Sequence, residues 1–158
     1  MVAAPPGDAV TFDRDVRLAV YRKVVAEGLP PTAPEIAGEL GVTASDVETS
    51  FRRLADGHVL VLAPGTPYIW MANPFSAIPT PFEVMVGARR YFANCIWDAL
   101  GIPACLHADA RIDTFCPDCS EPLSLRVGDD ALDEGTSPDA RIHFSVPAAR
   151  WWEDIGAT

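Results

Sequence analysis

A chain of 158 residues that is 49% hydrophobic and 22% charged has the composition of a core-forming protein with one ordinary domain or two small ones. Its apolar runs fall far short of the roughly 18 residues needed to cross a bilayer. The opening MVAAPPGDAV has no basic stretch leading into an apolar one, so neither a membrane span nor a secretory signal is expected, and the expected location is the cytoplasm. A formal net charge of −10 repels a phosphate backbone at long range, which weighs against nucleic acid as the main partner but leaves a local basic patch open.

In chain order, DRDVRLAVYRKVVAE (13–27) places Val16, Val20, Val24 and either Leu18 or Tyr21 at helical spacing. GLPPTAPEIAGELGV follows, with Thr32 as N-cap, Glu35 three residues on in a capping-box arrangement, and Gly41 as the stop. TASDVETSFRRLADG repeats the pattern, with Val47, Phe51 and Leu54 on one face and Gly57 ending it. HVLVLAP and PYIWMAN are two short β-rich runs joined by the turn APGT. Three short helices and a hairpin are the layout of a winged helix-turn-helix, which serves DNA binding or, as widely, protein contact. The third helix carries Arg52 and Arg53 but also Asp46 and Glu48.

PFSAIPTPFEV is a Pro-rich connector, because Pro74, Pro79 and Pro81 limit both helix and central strand. RRYFANCIWDALGI then reads as a helix ended by Gly101 and Pro103, with Tyr91, Cys95, Asp98 and Ile102 on one stripe. ARIDTF, PLSLRV and RIHFSVP are strand-like, GDDALDEGTSPDA is an acidic loop, and WWEDIGAT closes the chain without an obvious helix. The expected fold class is therefore α+β. A winged-helix-like module (1–72) with its hairpin is followed by the connector (73–84) and by a small mixed α/β domain (85–158), whose C-x-x-D helix lies against a β-sheet.

Four cysteines without an export signal read as thiols, metal ligands or catalysts before they read as disulfides. Cys95 and Asp98 are either a small buried thiol beside a carboxylate that caps or pairs with Arg89 or Arg90, or a functional pair. In the second reading a thiolate captures a soft electrophile or metal while a neighbouring carboxyl delivers a proton. Cys116 and Cys119 (CPDC) have the spacing of half a zinc site, and Cys105 and His107 would complete a set of four. A structural turn with reduced thiols is the plainer alternative. His143 reads as a half-buried strand histidine, His58 opens the hairpin, and Trp151 and Trp152 read as core filling or a cleft cover.

MANPFSAIPTPFEV followed by YFANCIWDALGIPACLHADARIDTFCPDCSEPLSLRV resembles the organomercurial lyase (alkylmercury lyase) family, as does the order of segments through WWEDIG. The resemblance implies protonolysis of a carbon–mercury bond, with Cys95 as the first mercury-binding cysteine and Asp98 as the acid. It implies a small organometallic substrate, Hg(II) as product, no organic cofactor and external small thiols to remove the metal. In relatives with such a WW-D-I segment a second catalytic cysteine is expected immediately after the position of Thr158, whereas no cysteine of this sequence lies beyond Cys119. The competing expectation is a non-catalytic protein on the same scaffold, holding a soft metal or contacting DNA or another partner through the helix module. A homodimer also stays open.

Overall fold

The computed structural model describes residues 8–129, 131–133 and 140–156. The chain divides into two compact units, Met1–Thr80 and Pro81–Thr158.

In the first unit, helix α1 spans Ala9–Glu27. Asp8 caps it by accepting from the Thr11 N–H at 2.9 Å, and Gly28 ends it at φ 89°, a left-handed conformation that costs glycine nothing. Val16, Val20 and Val24 are fully buried, whereas Leu18 is half exposed and the Tyr21 hydroxyl donates to the Asn73 carbonyl at 2.9 Å. Helix α2 (Ala33–Leu40) begins with the Thr32 N–H and hydroxyl both donating to the Glu35 carboxylate, at 2.7 and 2.6 Å. Gly41 ends it at φ 69°.

Helix α3 (Ala44–Asp56) is capped reciprocally: the Asp46 N–H donates to the Thr43 hydroxyl at 3.1 Å, and the Thr43 N–H donates back to the Asp46 carboxylate at 3.3 Å. Val47, Phe51 and Leu54 are buried as their spacing requires. Each such side chain contributes about 1.5–3 kcal/mol relative to exposure. Gly57 follows the last turn, but the residue that turns left-handed is His58, at φ 61°.

Strands β1 (Val61–Leu62), β2 (Ile69–Ala72) and β3 (Phe75–Ser76) then form an antiparallel sheet in that order. The segment expected as a bare connector thus supplies β3. Its Pro74 sits in the tight β2–β3 turn after a cis Asn73–Pro74 bond.

In the second unit, β4 (Glu83–Val86) and β5 (Arg89–Phe92) pair through a turn in which Gly87 takes φ 57°. Helix α4 (Ile96–Leu106) follows, then β6 (Ala110–Phe115), β7 (Pro122–Gly128) and β8 (Ala131–Leu132). The antiparallel sheet has the order β5-β4-β6-β7-β8. Register brings Tyr91, Val84, Ile112 and Leu125 into one row across four strands. Helix α4 packs over β4 and β6, and its Ala99, Ile102 and Pro103 are buried there.

Three expectations are corrected in this unit. The stretch 89–102 is not one helix: Arg89–Phe92 pairs with β4, because Tyr91 is buried beside Val84 on the pleated face. Gly101 and Pro103 do not stop α4. Pro103 lies inside the helix, and its carbonyl accepts the N–H groups of His107 and Ala108 where the helix closes. RIHFSVP forms no strand, and His143 in it is exposed rather than half-buried. Two residues of the expected acidic loop form β8; position 130 and positions 134–139 of that loop lie outside the described residues. A short 3-10 helix, Ala148–Glu153, holds Trp151 and Trp152, and neither tryptophan is buried.

Candidate functional site

Cys95 is the N-cap of α4, with extended backbone (φ −149°, ψ 179°), and Asp98 is the third residue of the helix. These are the N-cap and N3 positions of a capping box, but the Cys95 side chain makes no capping hydrogen bond. The first turn of a helix leaves its N–H groups without helical partners, and here the amides of Asp98 and Trp97 act on the Cys95 sulfur. The pair is therefore brought together by the helix start rather than by a helical stripe running back to Tyr91.

Both groups are half-buried. Burial pushes the Cys95 thiol above its ordinary value; the Asp98 and Trp97 amides pull it down, and the nearby Asp98 carboxylate and the hydrogen bond to it push it up again. Burial likewise pushes the Asp98 carboxyl up, against hydrogen bonds from Asn94 and Cys95 that favour its charged form. Asn94 Nδ2 donates to Asp98 Oδ2 at 3.1 Å. The site thus places a thiol beside a carboxyl, and burial holds both above their ordinary values.

Beside it, the half-exposed Trp97 meets Phe144 edge-to-face, with ring centroids 5.9 Å apart and planes at 75°. Phe144 also stacks on Trp151 at 5.4 Å, and Trp151 Nε1 donates to the Val146 carbonyl at 3.1 Å. Sequence reasoning missed Asn94 and this aromatic stack. The helix read over 89–102 already set Asn94 four residues before Asp98, but no role was drawn from that spacing, and the Phe144 contact joins segments nearly fifty residues apart.

The expected four-ligand zinc set does not assemble. Among the described residues no three His, Cys, Asp or Glu side chains converge as a metal site. Cys105 is exposed on the last turn of α4 and His107 caps that helix at φ 48°, whereas Cys116 and Cys119 lie at the far end of β6. A six-residue strand rising about 3.3 Å per residue separates the two groups. At the tip itself, amides of Cys119 and Asp118 and the Cys119 thiol hold the Cys116 thiol below its ordinary value.

Among the described residues no helix is long and apolar enough to cross a membrane. Of the two arginines that the third helix would offer to DNA, Arg53 is engaged by Asp13 at 2.6 Å and Arg52 by Glu48 at 3.4 Å.

The molecule is thus an α+β protein whose second unit presents a coupled thiol and carboxyl at a helix start. The alkylmercury lyase (MerB) family model matches residues 75–158, more than half of the chain and the part that carries this pair. The chain belongs to the alkylmercury lyase family. Its fold is similar to that in the crystal structure of the mercury-bound form of MerB2, with a TM-score of 0.60 and 23% identity over 83% of this chain and 68% of that one. No curated relative matches the sequence.

Proposed function

We propose that the protein cleaves a carbon–mercury bond by protonolysis, with Cys95 as the metal-binding thiolate and Asp98 as the proton carrier. The observation that supports this most directly is the placement of Cys95 at the N-cap of α4 and of Asp98 on its third residue, both half-buried. Family membership and the mercury-bound state of the similar structure agree with it.

The reaction balances on those two groups. An organomercurial R–Hg–X loses X⁻ as the Cys95 sulfur bonds to mercury, and the thiol proton passes to Asp98. Asp98 returns that proton to carbon, the carbon–mercury bond breaks, and R–H leaves. Hg(II) stays on sulfur until external thiolates displace it. Burial suits Asp98 to this work, because a carboxyl that resists ionisation accepts the thiol proton more readily. No organic cofactor takes part in this scheme. The engagement of Arg52 and Arg53 within their own unit supports a packing or partner role for the helix module over DNA reading.

The test is a single-turnover reaction with phenylmercury and excess small thiol, with benzene read by gas chromatography. Wild type is expected to release one benzene per chain, and Asp98→Asn to bind mercury and release benzene about 10²–10⁴-fold more slowly. Release by Asp98→Asn at the wild-type rate would overturn the assignment.

A further inference from the structure

The loop at the tip of the β6–β7 hairpin is not used in the reaction proposed at Cys95. Register pairs Phe115 with Pro122, so residues 116–121 form the whole loop. The Cys116 N–H donates to the Glu121 carbonyl at 2.8 Å, and the Ser120 N–H donates to the Cys116 carbonyl at 2.8 Å, while Ser120 turns left-handed at φ 61°. This turn holds both cysteines within one six-residue loop, and the amides of Cys119 and Asp118 hold the Cys116 thiol below its ordinary value. Both cysteines are free thiols; Cys119 is exposed and Cys116 half-buried. Asp118 and Glu121 add negative charge beside them, which favours a cation.

Zinc needs four donors, and no third ligand converges here among the described residues. Two soft donors and no others match a soft cation that is satisfied by two-coordination. We propose that Cys116 and Cys119 form a second, two-thiolate site that takes mercuric ion from small thiols at the surface. The choice of mercuric ion among soft two-coordinate cations rests on the lyase reading above; the two-thiol site itself does not. In the exchange, two bonds from small-thiol sulfur to mercury break and two from protein sulfur form. The two cysteine protons leave with the released small thiols, and nothing is oxidised or reduced.

The signature of a preorganised pair is chelation. A second thiol on a flexible tether acts at millimolar effective concentration, whereas one held in the same closed turn acts at about molar. The experiment uses reduced, full-length protein carrying Cys95→Ser and Cys105→Ser, so that only the loop thiols remain. This protein is loaded with mercuric chloride and dialysed against increasing glutathione, and mercury per chain is measured. The expected result is one mercury per chain, retained at about 10 mM glutathione roughly 100-fold better than when Cys116→Ser or Cys119→Ser is added. Retention should fall with the square of glutathione concentration, against first order for either single-thiol protein. The order is read within one protein, so it does not depend on how well the variants fold. First-order loss, or equal retention in the single-thiol proteins, would overturn the site. Since this background lacks Cys95, its outcome is independent of benzene release by the wild type, which tests the lyase reading alone.

Discussion

Replacing Asp13 by Ala tests how the helix module is held together. Asp13 on α1 accepts from Arg53 Nε at 2.7 Å, Arg53 Nη2 at 2.6 Å and the Ser50 hydroxyl at 2.6 Å, the latter two on one oxygen. Ser50 is fully buried, so removing its acceptor strands a hydroxyl away from water at about 1–3 kcal/mol. The Arg53 side chain keeps 38% exposure and rehydrates, so its loss belongs to the surface-pair range of about 0–1 kcal/mol. Together the expected cost is about 1–4 kcal/mol, and for a unit of this size each kcal/mol lowers the melting temperature by roughly 4–8 °C. Denaturant unfolding followed by circular dichroism measures it, with Ser50→Ala and the double variant completing a cycle. Ser50→Ala should cost less than Asp13→Ala, and the double variant less than the sum, because the stranded hydroxyl is gone. Strict additivity, or a loss under about 0.5 kcal/mol for Asp13→Ala, would refute the reasoning. The pH dependence has a definite sign. Burial alone would raise the Asp13 carboxyl, but the hydrogen bonds from Arg53 and Ser50 and the Arg53 charge hold it below 3.8. Its stabilisation is therefore present above pH 3.8 and is lost as pH falls through the lower folded value.

Three further outcomes are expected. Cys95→Ser keeps a capping residue at the start of α4 and so should preserve the fold while abolishing hydrocarbon release, as circular dichroism and gas chromatography would report; release at the wild-type rate would count against Cys95. Asp98→Asn should retain capture and slow release by about 10²–10⁴-fold, the usual range for a lost general acid. The same variant removes a negative charge and a hydrogen bond that raise the Cys95 thiol, so its alkylation by iodoacetamide should set in at lower pH than in the wild type; an unchanged or upward-shifted profile would contradict the coupling. Ile112→Ala empties the centre of the Tyr91–Val84–Ile112–Leu125 row beneath α4 and should cost about 2–5 kcal/mol, measured by denaturant midpoint.

Local chemistry made the three N-terminal helices legible. Thr32 with Glu35, Thr43 and the valine spacing of 16, 20 and 24 act within a few residues, and each governs its own turn of helix. The same holds for β6, β7 and the CPDC turn between them, whose alternation and loop residues are local signals. The Cys95–Asp98 neighbourhood was legible because any helix containing or starting at that stretch puts residues three apart together.

What the amino-acid order could not decide was where strand ended and helix began between Arg89 and Ile96, since aromatic and arginine side chains fit both. Pairing with β4 decided it, by burying Tyr91 against Val84 across the sheet. The direction of each pKa shift, the Asn94 contact to Asp98, the Phe144 ring on Trp97 and the separation of Cys105 and His107 from the hairpin thiols all arise from distances set by packing. Residue types and local spacing settled which side chains could do sulfur and proton chemistry and where the N-terminal helices would form. Which of those side chains meet was left to packing, because desolvation and long-range contact are properties of the assembled sheet and helix and not of any short segment.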